Sequence, residues 1–172
     1  MTIRNYEFKA RVENLDRHEE KLLTLNPIFK GLDHQVDTYF NVPHGRLKLR
    51  EGNIENALIQ YNRENIADSK LSEIILYKHD PDPALKDILS LQFGVKVVVD
   101  KKRKIYFIEN IKFHFDTVDQ LGHFIEVEAI DSTGDSPIED LKRQCNHYKE
   151  FFELDDACMI AESYSDMILR IL

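Results

Sequence analysis

Lysine and arginine recur at every second position along several short segments of this chain, and acids do so on others. Glu7, Lys9 and Arg11 alternate with Tyr6, Phe8, Ala10 and Val12. Arg46, Lys48 and Arg50 share one face of a segment whose other face is Leu47 and Leu49. Arg63 closes the segment from Leu58, Lys101 and Arg103 share a side of a longer one, and Lys112, His114 and Asp116 alternate with Ile111, Phe113 and Phe115. Glu126 and Glu128 are neighbours on one face. Arginine offers a planar fork to phosphate oxygens and lysine a compact charge. Paired carboxylates call for a cation, and an oxygen-rich set suits Mg²⁺ or Mn²⁺. Cations and acids on different segments suit a site with a phosphate end and a metal end.

The plain alternative is an open sheet with a solvated charged face. Exposed strands usually mix signs, because like neighbours repel. The triplet Arg46, Lys48 and Arg50 and the pair Glu126 and Glu128 run against that habit. Two faces that can both be buried then follow, an apolar outer one under helices and a charged inner one.

Those side chains must be positioned by strands, since a period of two places alternate residues on one face. Strands are expected at Tyr6–Val12, Gln35–Phe40, Arg46–Arg50, Leu58–Arg63, Leu71–Tyr77, Val95–Lys104 (continuing to Glu109 after a bend), Ile111–Thr117 and His123–Ile130. Helical spacing appears at Leu15–Leu25. Asp80-Pro81 predicts a second helix start, with Leu85, Ile88 and Leu89 facing inward and Gly94 as the C-cap. Ser136-Pro137-Ile138-Glu139 has the form of a capping box, followed by an apolar stripe of Ile138, Leu141, Cys145, Tyr148 and Phe152. A last short helix is expected from Ser165 to the end. The class is α+β with a mainly antiparallel sheet.

The bulk numbers agree with one domain over residues 1–172. The 172 residues are 42% hydrophobic and 31% charged, which places the chain among globular proteins. A net charge of −8 argues against a nucleic-acid coat, though not against a local basic pocket. Cys145 and Cys158 have no metal-ligand spacing and read as reduced thiols. No apolar leader or membrane-spanning stretch is visible, so the expected location is the cytoplasm, with no membrane partner. Oligomeric state is not encoded in any feature of the sequence.

The ordered stretches NYEFKARV, DTYF, GRLKLREG, LIQYNR, the K-x-R of Lys101 to Arg103, IKFHFDTVDQLGHFIEVE and SYSDMIL resemble the CYTH domain, the triphosphate tunnel metalloenzyme family. That family includes class IV adenylate cyclases and thiamine triphosphatases. The resemblance implies an eight-stranded antiparallel β-barrel forming a tunnel, with helices outside. It assigns Lys9, Arg11, Lys48, Arg50, Arg63, Lys101 and Arg103 to a triphosphate, with Lys112 as a further substrate-binding residue and Arg46 and His114 in the lining. It assigns Glu7, Glu126 and Glu128 to Mg²⁺ or Mn²⁺, and Glu7, Lys9 and Asp116 are the expected catalytic residues. Tyr39 and Tyr61 are further lining candidates.

The chain departs from the family's opening Glu-x-Glu-x-Lys at Asn5, which offers a neutral oxygen and no charge. Two functions follow from the resemblance: cyclisation of ATP to cyclic AMP and pyrophosphate, as in class IV cyclases, or hydrolysis of an organic or inorganic triphosphate; Asn5 supports a third, binding of a nucleotide or polyphosphate without turnover. Thiamine triphosphate fits less well, because Trp is the best face for a cationic ring and the chain has none.

Overall fold

The computed structural model describes residues 2–62 and 70–172. The alternating segments become strands β1 (Thr2–Arg11), β2 (Ile28–Phe40), β3 (Arg46–Glu51), β4 (Ala57–Asn62), β5 (Lys70–Lys78), β6 (Val95–Ile108), β7 (Ile111–Val118) and β8 (Gly122–Asp131). They close a barrel in the order β1-β5-β4-β3-β2-β6-β7-β8, every neighbour antiparallel. Closure leaves no sheet edge exposed. Helices α1 (Leu15–Leu23), α2 (Pro83–Phe93), α3 (Ile138–Phe151) and α4 (Tyr164–Ile171) complete the described architecture. No helix among the described residues is long and apolar enough to cross a membrane.

The barrel has an apolar layer outside and a charged one within. Phe8, Ala10, Phe113, Phe115, Ile125 and Val127 face outward and pack with Leu22 of α1 and with Leu141, Cys145, Tyr148 and Phe152 of and beside α3. Each of those barrel residues is at most 1% exposed, so their transfer from water dominates the stabilisation of this wall. A second cluster lies inside one end. There Tyr164, Met167 and Ile168 of α4 meet Tyr39, Ile59, Tyr61, Val97, Val99 and Phe124 and close the barrel. Ser163 caps α4, accepting from Asp166 N at 3.2 Å and from Arg46 Nη1 at 2.6 Å, while Arg46 Nη2 reaches Asp166 at 2.8 Å.

Four expectations change in detail. β2 begins at Ile28, seven residues before the strand read from the sequence. Gly31, at φ 139°, sits in a register shift between Phe29 and Gly31 that breaks the period of two. β6 runs unbroken to Ile108. The second helix starts after Asp82, whose side chain accepts from Ala84 N at 2.9 Å, because Asp82-Pro83 repeats the Asp80-Pro81 signal two residues on. Only its Leu85 and Leu89 edge packs, against Phe40 and Leu49, and Ile88 is 58% exposed. The capping box at Ser136 does not form. α3 starts after Pro137 with no side-chain cap, and the Ser136 carbonyl accepts instead from Arg4, which also pairs with Asp131.

Candidate active site

Because alternate residues face the barrel interior, six of the eight strands deliver the charged residues named below to one cavity of about 800 Å³. Lys9 and Glu7 come from β1, Asp37 from β2, Lys48 and Arg50 from β3, and Lys101 and Arg103 from β6. Lys112 and His114 come from β7 and Glu126 and Glu128 from β8. The register stacks them in rungs. Glu7 lies opposite Glu128, which lies opposite Lys112; Lys9 lies opposite Glu126, which lies opposite His114.

Two ion networks hold the cations. Asp37 accepts from Arg50 Nε and Nη2 at 2.9 and 2.8 Å, from Lys101 at 2.7 Å and from Lys48 at 3.2 Å. Burial works against its charge, but Arg50, Lys101 and Lys48 hold Asp37 well below the usual carboxylate range. Burial pushes the Lys101 ammonium down to about 7; Asp37 opposes that, and Arg50, Arg103 and Lys48 add to it. In the second network Arg103 donates to both oxygens of Asp116, at 2.7 and 2.6 Å, and to Glu126 at 2.9 Å. Tyr164 of α4 donates to Asp116 at 2.7 Å. Lys9 lies 3.1 Å from Glu126 and 3.9 Å from the centre of the Tyr164 ring.

The acidic end is built on β8. His114, Glu126 and Glu128 bring ligand-type atoms within 4.8 Å of one another. Burial, then Arg103, pushes the His114 imidazole down to about 3, so the ring is neutral. Its Nδ1–H donates to Glu126 at 3.1 Å, since a carboxylate can only accept there. Burial, then the facing Glu7, pushes Glu128 up to about 7. Like carboxylates on adjoining rungs of a buried wall, with a neutral imidazole beside them, fit a hard divalent cation.

Most of the residues singled out from the sequence therefore meet. Three do not line the cavity. Arg11 is exposed at the end of β1, over the Phe124 ring at 4.6 Å and donating to the Leu121 carbonyl at 2.5 Å. Arg46 anchors α4. Asp116 is fully buried behind Arg103 and touches the cavity only through it. Arg63 lies outside the described residues. Tyr39 and Tyr61 line the wall.

Glu55 is the residue that sequence reasoning missed. It lies in the loop between β3 and β4 and pairs with Lys112 across the cavity and with Arg50 at 3.2 Å. Burial opposes its charge, but Lys112 and Arg50 hold it well below the carboxylate range. Buried Asp33 of β2 fixes that loop, accepting from Ile54 N and Glu55 N at 2.9 Å each. A loop has no periodicity to reveal Glu55, and Asp33 lies on the part of β2 beside the register shift, where the period of two breaks.

The CYTH domain model matches residues 4–154. The chain belongs to the CYTH domain family. Among solved structures it is similar to PH1012 of Pyrococcus horikoshii OT3, with 25% identity and a TM-score of 0.79 over 94% of this chain and 98% of that one. It is also similar in fold to a Vibrio parahaemolyticus protein described as a candidate adenylate cyclase, with 19% identity and a TM-score of 0.77 over 96% and 97% of the two chains. The Hippeastrum protein HpAC1, described as having a dominant triphosphatase activity, shares 12% identity and a TM-score of 0.64 over 98% and 94%. No curated protein matches this sequence.

Proposed function

We propose that this protein is a metal-dependent enzyme acting on a triphosphate-bearing substrate inside the barrel. The observation that carries the reading is the convergence of Lys9, Lys48, Arg50, Lys101, Arg103 and Lys112 on one cavity beside Glu7, Glu126 and Glu128. Six cations from four strands suit an anion with several charges, and bidentate arginine suits phosphate oxygens. Glu126 and Glu128, with Glu7, would hold Mg²⁺ or Mn²⁺, which would offset phosphate charge and activate an attacking hydroxyl or water.

The protein's own groups supply positioning and charge. Asp37 and Asp116 are positioning residues that keep Arg50 and Arg103 aimed inward before substrate arrives, so little reorganisation remains at the reaction. Charge then builds on phosphate oxygens already facing fixed donors. Tyr164 and Asp116 lock Arg103 from behind. Arg11, outside the cavity, is left out of the phosphate set. Cyclisation of ATP to cyclic AMP and pyrophosphate is the first assignment, through resemblance to class IV cyclases. Hydrolysis of a triphosphate uses the same residues with water as nucleophile.

The test is a panel of ATP, GTP, tripolyphosphate and thiamine triphosphate, each with Mg²⁺ or Mn²⁺, followed for cyclic AMP, pyrophosphate and phosphate. Cyclic AMP with pyrophosphate assigns the cyclase, and phosphate with a diphosphate assigns the triphosphatase. Binding without any turnover would reduce the protein to a polyphosphate-binding module.

A further inference from the structure

Four cavity-lining side chains keep a buried polar atom without a hydrogen-bond partner among the described residues: His79 Nε2, His114 Nε2 and, on adjoining strands, the pair Asn5 Oδ1 and Ser72 Oγ. Asn5 and Ser72 are 2% and 3% exposed, and both line the cavity. They face each other across β1 and β5, where Asn5 is the register partner of Ser72. Asn5 Nδ2 donates to Glu7 Oε2 at 3.4 Å, which turns its nitrogen toward the acidic rung and leaves its oxygen as the open acceptor. Buried polar groups are nearly always paired, because an unpaired one loses its water without replacement. Two such atoms side by side on a cavity wall mark a place where a ligand completes the bonds.

Their position says which part of a ligand that is. One rung inward, Glu7 faces Glu128, the acidic end. One rung outward, Ile3 faces Ile74, and Ile130 stands beside Asn5 on β8. The adjoining wall on β4 and β5 presents Ala57, Ile59, Ile74 and Leu76 to the cavity and ends in Lys78, His79 and Asp80. A chain of phosphates seated on the cations would thus pass the Asn5–Ser72 pair and meet the apolar side chains of Ile3, Ile74 and Ile130 beyond it. An inorganic polyphosphate brings no alcohol hydroxyl to that pair. A compact organic group bearing a hydroxyl close to the phosphoester does: the hydroxyl donates a hydrogen bond to Asn5 Oδ1, and Ser72 Oγ gives or takes a second bond.

We propose that Asn5 and Ser72 form a subsite for a sugar hydroxyl, so that the substrate class is a ribonucleoside triphosphate rather than inorganic tripolyphosphate. This rests on the triphosphate reading above and adds the organic half of the substrate. It also gives Asn5 a role of its own: at the position where the family's opening motif carries a glutamate, this chain offers a neutral acceptor to the ligand.

The experiment is isothermal titration of the full chain with ATP, 2′,3′-dideoxy-ATP and tripolyphosphate, first in metal-free buffer and then with Mg²⁺. A site that expects a hydroxyl discriminates strongly against the analogue lacking it, so wild type should bind ATP at least about 10-fold tighter than the dideoxy form. In Ser72→Ala and in Asn5→Ala that ratio should fall to below about 3-fold, while tripolyphosphate affinity stays within about 2-fold. Ser72→Ala removes an unpaired hydroxyl, so its thermal midpoint should equal or exceed that of wild type, which separates loss of the subsite from loss of the fold. Equal binding of ATP and dideoxy-ATP by a wild type that binds tripolyphosphate would overturn the subsite and leave the triphosphate reading intact. So would an unchanged ratio in both variants. A wild type that binds none of the three would overturn the triphosphate reading and the subsite with it.

Discussion

Asp37 receives Arg50, Lys48 and Lys101 at once, whereas among the described residues Asp116 receives Arg103 and Tyr164. The two arginines should therefore respond differently to truncation. Arg103→Ala strands a buried carboxylate and should cost about 3–5 kcal/mol in urea denaturation. Lys112→Ala leaves Glu55 with Arg50, so it should fold normally. It should nonetheless weaken tripolyphosphate binding by about 10- to 100-fold, the equivalent of one charge-assisted bond. Equal affinity in Lys112→Ala and wild type would move the phosphates elsewhere. Glu128 predicts a pH dependence. Its carboxyl is raised to about 7 by burial and by Glu7, so the folded state holds a proton that the unfolded state has released. Stability of the metal-free protein should then fall as pH rises from the ordinary glutamate range through 7, and level off above. Thermal melts of wild type should show that slope and Glu128→Gln should lose it. Lys101 gives the converse. Its ammonium is lowered to about 7, and a bound polyphosphate would raise it, so binding at pH 8 should take up a proton. Titration in two buffers of different ionisation enthalpy measures that uptake; none would separate Lys101 from the anion.

At the scale of elements, the loop from Gly52 to Asn56 and helix α4 are the two pieces that finish the site. The loop is held by Asp33 through two backbone N–H groups, and Gly52 is packed so closely that a Cβ would lie 2.6 Å from Asp33 Oδ1 and 2.7 Å from the Glu55 carbonyl. Backbone cannot yield as a side-chain tip can, so Gly52→Ala should cost about 1–3 kcal/mol and loosen Glu55 from Lys112. α4 depends on its cap. Ser163 accepts from Asp166 N and from Arg46, and the helix it starts carries Tyr164 to Asp116. Ser163→Ala should lower stability by about 1–2 kcal/mol. A variant as stable as wild type would show that the apolar contacts of Met167 and Ile168 suffice to hold α4.

For the whole molecule, the charges that make the cavity useful also make it costly to keep empty. Lys9, Lys101, Arg103 and Glu126 are each at most 8% exposed, and burial works against every one of their charges except as partners offset it. A polyphosphate with a divalent cation adds both signs to the same space and should bind the folded state alone. At 100 times its dissociation constant such a ligand adds about 2.7 kcal/mol, roughly 5–10 °C in melting temperature for a chain of this size. Differential scanning fluorimetry with tripolyphosphate and Mn²⁺ should show that shift, and chelation should reduce it. No shift with any triphosphate at saturating concentration would argue against the cavity as a polyphosphate site.

The sequence by itself determined the strands, since a period of two follows from local stereochemistry and survives in any antiparallel sheet. It also determined which charges share a face: Lys48 with Arg50, Lys101 with Arg103, Glu126 with Glu128. Tertiary structure decided what each face meets. Barrel closure sets Glu7 against Glu128 and Asn5 against Ser72, pairings between residues more than sixty positions apart that no local pattern contains. The end of β1 at Arg11 leaves that side chain outside the cavity, while Lys9, two residues earlier, is buried within it. The insertion of α4 turned Arg46 from a lining candidate into an anchor. Glu55 and Asp33 were illegible for the same reason. One lies on an aperiodic loop and the other beside a bulge, and only the closed barrel brings that loop across to Lys112.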